Sequence, residues 1–281
     1  MIKKWFSAII NKFFKNRYLA QNNDARCVYN DACLKYRLGK FEEIVNMQIS
    51  DNDDLRLIVF FYDLQDAAKY RLKNKDNPVF KDIKNKTNDF SVLIKNKKYY
   101  DAFNMYTKTK LSNLSDVKKD CAISFFKALQ SALHEYEYTE LVDMLKEIND
   151  AAKSVLRYDE LTLLIEFWAF QCGITSPKET IDFLFAAQKD SKDCLLVYPL
   201  IIYLYWMGLL CADEMQKHLS VAIEEGVNYA YFMRSIAHIA YTGDMFDAQE
   251  DFENFKLHFD DVEEYNAIPI VELQQLGYFP T

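Results

Sequence analysis

The chain has 281 residues and a formal net charge of −8, and half of its residues are apolar. Its 6 Gly and 5 Pro fall far below the roughly 20 and 14 that average usage gives at this length, which excludes turn-rich β-sandwiches, barrels and propellers. Gly39, Gly173, Gly208, Gly226, Gly243 and Gly277 are too dispersed for a phosphate-cradling loop, and the apolar content suffices for a large core, so the chain reads as ordered and all-α.

The first predicted element, residues 1–20, is a basic amphipathic helix. Ile2, Trp5, Phe6, Ile9 and Phe13 recur at helical spacing, while Lys3, Lys4, Lys12, Lys15 and Arg17 add positive charge with no acidic residue before Asp24. Its apolar run breaks at Asn11 and Lys12, too short for a secretory signal. Lys3, Lys4, Trp5, Phe6, Ile9 and Phe13 therefore form a candidate capping or membrane helix. Covering the open end of a helical stack, contact with an anionic membrane surface and docking to a partner all fit.

Residues 21–265 read as one continuous helical domain, punctuated at Leu38-Gly39-Lys40, Asn96-Lys97-Lys98 and Glu137-Tyr138-Thr139. Between Lys69 and Lys119, lysines interleave with Tyr70, Phe80, Phe90, Tyr99, Tyr100 and Tyr106, a composition able to follow a phosphate backbone. A single Arg71, the absence of any recognised nucleic-acid signature and the acidity of the whole chain argue against that use. Ser176-Pro177-Lys178-Glu179 marks a helix start with a reciprocal cap, and Gly226 before Asn228 and Thr242-Gly243-Asp244 mark further helix ends. The longest apolar run, Cys194 to Cys211, is interrupted by Pro199, so no membrane span is expected.

Over residues 120–260 the apolar spacing repeats. Second-helix anchors fall at Leu141/Leu145/Ile148, Thr180/Leu184/Ala187, Met215/Leu219/Ala222 and Ala248/Phe252/Phe255. Each is preceded by a first-helix set: Phe125/Ala128/Leu129, Leu164/Phe167/Trp168, Pro199/Ile202/Tyr203 and Phe232/Ser235/Ile236. On these residues, and on Ala237-His-Ile-Ala-Tyr-Thr-Gly-Asp-Met-Phe-Asp-Ala248, the chain resembles the tetratricopeptide repeat (TPR) family. Leu38-Gly-Lys-Phe-Glu-Glu-Ile44 and Lys98-Tyr-Tyr-Asp-Ala102 are similar, degenerate turns. The resemblance implies a TPR-like α-solenoid of antiparallel helix hairpins whose first helices line a groove. In it Trp168, Tyr203, Trp206 and Phe232 are the expected partner-binding anchors. Bulky Trp168, Tyr203 and Ile236 stand where the family has a small residue, and its closing proline is absent. The tail, 266–281, combines Pro269 and Gly277 with Ile270, Val271, Leu273 and Tyr278. It is expected to pack around Phe252 and Phe255 as a cap, or to serve as a linear motif.

Charge divides along the chain, from net +2 over residues 1–65 and +7 over 66–120 to −17 over 121–281. The six cysteines form no C-x-x-C pair and read as buried apolar residues in a reducing, cytoplasmic compartment. Candidate catalytic and metal-ligating sets are sparse. Asp247-Ala-Gln-Glu-Asp251 with Asp63-Leu-Gln-Asp66 is a weak match to paired Mg²⁺ motifs, and Glu214 with His218 is a metal pair that lacks a third ligand. The reading is a non-catalytic protein-binding scaffold or adaptor with no cofactor, presenting an acidic, aromatic-rich helical surface to a basic partner. An immunity-type inhibitor of a basic toxin or nuclease and a helical Mg-dependent prenyl-type enzyme are the alternatives.

Overall fold

Helix boundaries follow from single residues. The computed structural model describes residues 25–49, 55–112, 118–191, 194–258 and 268–278, and among them the regular structure is helical, with no strand. The first amphipathic element, with Lys3, Lys4, Trp5, Phe6, Ile9 and Phe13, lies outside the described residues. Ser176 Oγ accepts from Glu179 N–H while the Glu179 carboxylate takes the Ser176 N–H at 2.7 Å, the reciprocal cap expected at that site. All six glycines adopt positive φ, from 71° to 85°, at helix C-termini. At Gly173 the left-handed residue lets its own N–H reach the Phe170 carbonyl and the Ile174 N–H reach Ala169, which satisfies carbonyls the helix end would leave bare.

The helices fall into two compact units. The second, residues 77–209 with 266–268, contains α4 (Pro78–Lys95), α5 (Tyr99–Ser112), α6 (Lys118–Leu133), α7 (Tyr138–Leu156), α8 (Glu160–Gln171), α9 (Pro177–Asp190) and α10 (Val197–Trp206). Short turns at 96–98, 157–159 and 172–176 join helices that pack on each other, as hairpins do, whereas the helices joined by 134–137 pack chiefly on other neighbours. Helix α4 packs on α5 and α6, α5 on α7, α6 on α8, α7 on α8, and α9 on α8 and α10. Aromatic edges stitch these neighbours. Phe90 lies 6.0 Å from Phe103 and 5.0 Å from Phe125, Phe126 5.7 Å from Trp168, and Phe167 5.8 Å from Tyr203. Such pairs contribute about 1 kcal/mol each beyond burial.

The other unit is discontinuous, drawn from residues 1–76, 210–265 and 269–281. It contains α1 (Ala25–Arg37), α2 (Phe41–Val45), α3 (Leu55–Lys73), α11 (Ala212–Glu224), α12 (Asn228–Ala237), α13 (Met245–His258) and the short α14 (Ile270–Gln275). A π-turn, His238–Thr242, continues α12, packs on α3 and ends at Gly243. Helices α12 and α13 form the hairpin expected there, held by the Phe232–Phe255 ring pair at 5.4 Å and by Ser235 Oγ donating to the Ala248 carbonyl at 2.9 Å.

Two expectations are revised by these contacts. The domain expected to run continuously over 21–265 divides into two units, one assembled from segments far apart in sequence. The tail does pack, but α14 packs on α3. Its buried Glu272 and Gln274 meet Tyr36, Arg71 and Tyr29, polar partners that a search for apolar contacts around Phe255 passes over.

Candidate functional site

The expected aromatic anchors are split by burial. Trp206 is 50% exposed and Trp168 half-buried, but Tyr203 and Phe232 are each only 2% exposed. Tyr203 is held between Phe167 and Trp206 and accepts from Gln171 Nε2 at 3.0 Å, so it is core, as is Phe232 against Phe255. Trp168, Tyr203 and Trp206 belong to the second unit and Phe232 to the first, so the four do not form one groove within either unit. The cause lies in α10, whose VYPLIIYLYW sequence is apolar on every side and therefore interior for most of its length.

A different surface emerges on α7. One face buries Met144, Leu145, Ile148, Ala151 and Ala152. On the other, Glu140, Asp143, Glu147 and Asp150 follow one another at spacings of three and four, and all four are exposed. This spacing aligns their carboxylates along one stripe. None of the four has an ion-pair partner among the described residues. Lys153, on the same helix, turns inward to the fully buried Glu166 at 2.6 Å, and exposed Lys146 is left beside the stripe. Neighbouring like charges cost a helix a few tenths of a kcal/mol per pair, and Lys146, three residues from Asp143 and four from Asp150, offsets part of that cost.

Helix α5, which packs on α7, opens with two tyrosines. Tyr100 is 59% exposed, and the buried Tyr99 hydroxyl has no hydrogen-bond partner among the described residues. Burial first, and then the Glu147 carboxylate and Tyr136, push the Tyr99 phenol above its ordinary value, which puts it within electrostatic reach of the stripe. Sequence patterning marks these tyrosines only as possible base-stacking groups among lysines; the i, i+3, i+7 acid spacing of α7 is the signal that points to the stripe.

The other charged groups of this unit are internal ties. Glu166 accepts from Asn149 Nδ2 at 2.7 Å and Thr180 Oγ1 at 3.1 Å as well as from Lys153, joining α7, α8 and α9. Asp159 caps α8 through the Leu161 N–H at 2.9 Å and accepts from the Tyr106 hydroxyl at 2.6 Å and from Lys110, which also reaches Glu160 at 2.6 Å. Desolvation draws the Lys110 ammonium down, yet Glu160 and Asp159 outweigh it and its pKa is raised. Burial lifts the nearby Cys121 thiol to about 12 and Cys194 well above its usual range, so both stay protonated and inert. These two cysteines are buried as expected, whereas Cys27 and Cys211 are exposed, contrary to the reading of all six as core.

Three carboxylates of the acidic motifs weighed for Mg²⁺ are engaged with protein, while Asp247 and Glu250 are exposed. Asp63 accepts the Ile270 N–H at 2.8 Å, Asp66 pairs with Lys69 at 2.9 Å, and Asp251 takes the Arg234 guanidinium, with Nε at 2.7 Å. Glu214 accepts the Cys211 N–H at 2.9 Å, the main reason its carboxyl is held below the usual range. Among the described residues no group of His, Cys, Asp and Glu is arranged to hold a metal, and no described helix is long and apolar enough to cross a membrane. No protein-family profile, curated protein or solved structure matches the chain.

Proposed function

We propose that the chain is a protein-binding scaffold of TPR-like helical hairpins, and that the exposed face of α7 with the adjoining start of α5 takes a basic partner. The observation that carries this is the stripe of Glu140, Asp143, Glu147 and Asp150, aligned, exposed and without an ion-pair partner among the described residues. Support for the hairpin reading comes from the neighbour pattern, in which the first helices α4, α6 and α8 pack in succession and the second helices α5 and α7 pack on each other. A basic surface would relieve the mutual repulsion of the stripe and be steered to it over a Debye length of about 8 Å at physiological salt.

The test neutralises the stripe in the full chain with Glu140→Gln, Asp143→Asn, Glu147→Gln and Asp150→Asn, which keep side-chain size. Against the partner captured from native-host extract, association should slow by about tenfold and lose most of its salt dependence. Unchanged association, or wild-type binding that is flat from low to high salt, refutes the proposal.

A further inference from the structure

The short helix α14 is held in the manner of a bound peptide. Ile270, Val271, Glu272, Leu273 and Gln274 are all buried, as is Tyr278 just beyond. A helix of this length has no stability of its own, so its conformation is imposed by the socket that receives it. That socket is made by α1 and α3. Asp63 Oδ2 accepts the Ile270 N–H at 2.8 Å, the Tyr36 hydroxyl donates to Glu272 Oε1 at 2.9 Å, Arg71 Nη2 reaches the same oxygen at 3.3 Å, and the Tyr29 hydroxyl donates to Gln274 Oε1. Each contact reads a particular atom of the segment: its leading N–H, its glutamate and its glutamine.

Recognition therefore rests on four side chains that lie 201 to 245 positions earlier in the chain. None of these contacts involves the backbone that leads from α13 to α14, so the socket distinguishes a segment by its chemistry and not by which chain carries it. Selection between the chain's own segment and another is then a matter of effective concentration. A segment recognised this way is the element that identical chains exchange when they dimerise by domain swapping.

We propose that the α1/α3 socket is a site for residues 270–278 of a second copy of this chain, and that two copies can exchange these segments reciprocally. The Arg71–Glu272 pair offers a charge-reversal test in full-length chains. In Arg71→Glu the socket and the chain's own Glu272 repel, and in Glu272→Arg the tail and the chain's own Arg71 repel. Exchange between one chain of each kind sets opposite charges together in both sockets, because the altered socket receives the altered tail and the native socket receives the native tail. Each variant alone should melt below the wild type. The two refolded together should yield a species of doubled mass that melts above either variant. A mixture that melts as the superposition of its components, with no species of doubled mass, overturns the proposal. Should either variant fail to fold by itself, recovery of folded protein only from the mixture supports exchange, and no recovery from the mixture overturns it.

Discussion

Gly173 and Lys97 occupy the same kind of position with opposite residue types. Gly173 stands at φ 72° with open space where a Cβ would go, and Lys97 holds φ 56° at the end of α4, where its N–H reaches the Ile94 carbonyl and the Lys98 N–H reaches Leu93. The left-handed conformation costs a side-chain-bearing residue roughly 1–2 kcal/mol. Gly173→Ala should therefore destabilise the chain by about 1 kcal/mol through backbone strain alone, and Lys97→Gly should stabilise it by up to about 1 kcal/mol, less the extra entropy glycine brings to the unfolded state. Urea unfolding midpoints at constant slope measure both. The scarcity of glycine that marks the chain as helical has the same origin, since every glycine serves as a helix stop. Residue-scale signals of this local kind are legible in the sequence. The cap at Ser176 depends only on residues within one turn, whereas the buried Glu166 depends on Lys153 and Thr180 arriving from two other helices, and no local pattern marks it.

At the scale of elements, repeat spacing locates the helices and the side of each that is buried. Leu145 and Ile148, Leu184 and Ala187, Met215 and Leu219, and Ala248 and Phe255 are all core. It does not separate core aromatics from surface aromatics, because Tyr203 and Trp206 are one turn apart on a helix that is apolar throughout. Helix positions also depend on charged ties that spacing does not register. Lys110 on α5 is the cation between Asp159 and Glu160 at the head of α8, and the two carboxylates are largely desolvated. Lys110→Met leaves them facing each other without it. The expected loss is about 3 kcal/mol by chemical denaturation, partly recovered when Glu160→Gln is added, because one of the two stranded charges is then gone.

Across the whole molecule, burial of phenols links both units to alkaline pH. Burial raises the pKa of Tyr29 and Tyr36 in one unit and of Tyr106 in the other. For a group whose folded pKa lies above its unfolded value, the stabilisation is complete below the unfolded pKa and is lost as pH rises past it. The unfolded phenol releases its proton near pH 10 while the folded one keeps it. Stability should hold to about pH 10 and then fall steeply. In Tyr106→Phe that fall should be shallower, as followed by circular dichroism against pH. A Tyr106→Phe chain with the wild-type slope would show that this phenol contributes nothing to the alkaline transition. The division of charge is legible at this scale because it needs only counting, and the acidic stripe on α7 lies within the net-negative portion. The division into units is not, because it rests on contacts such as Tyr29 with Gln274, 245 positions apart.

The discontinuous unit has a consequence for synthesis. Residues 77–209 leave the ribosome as an uninterrupted stretch and hold most of one unit's contacts, so that unit can assemble as it emerges. Helices α1 and α3 emerge earlier but wait for α14, and Arg71 precedes Glu272 by 201 positions. At translation speeds of about 5–20 residues per second the wait is on the order of ten to forty seconds. Throughout it the socket stands open, with Tyr36, Asp63 and Arg71 lacking the segment that will cover them. On a polysome, where nascent copies follow one another along a single message, that interval is when the socket of one copy is most open to the tail of a copy already released.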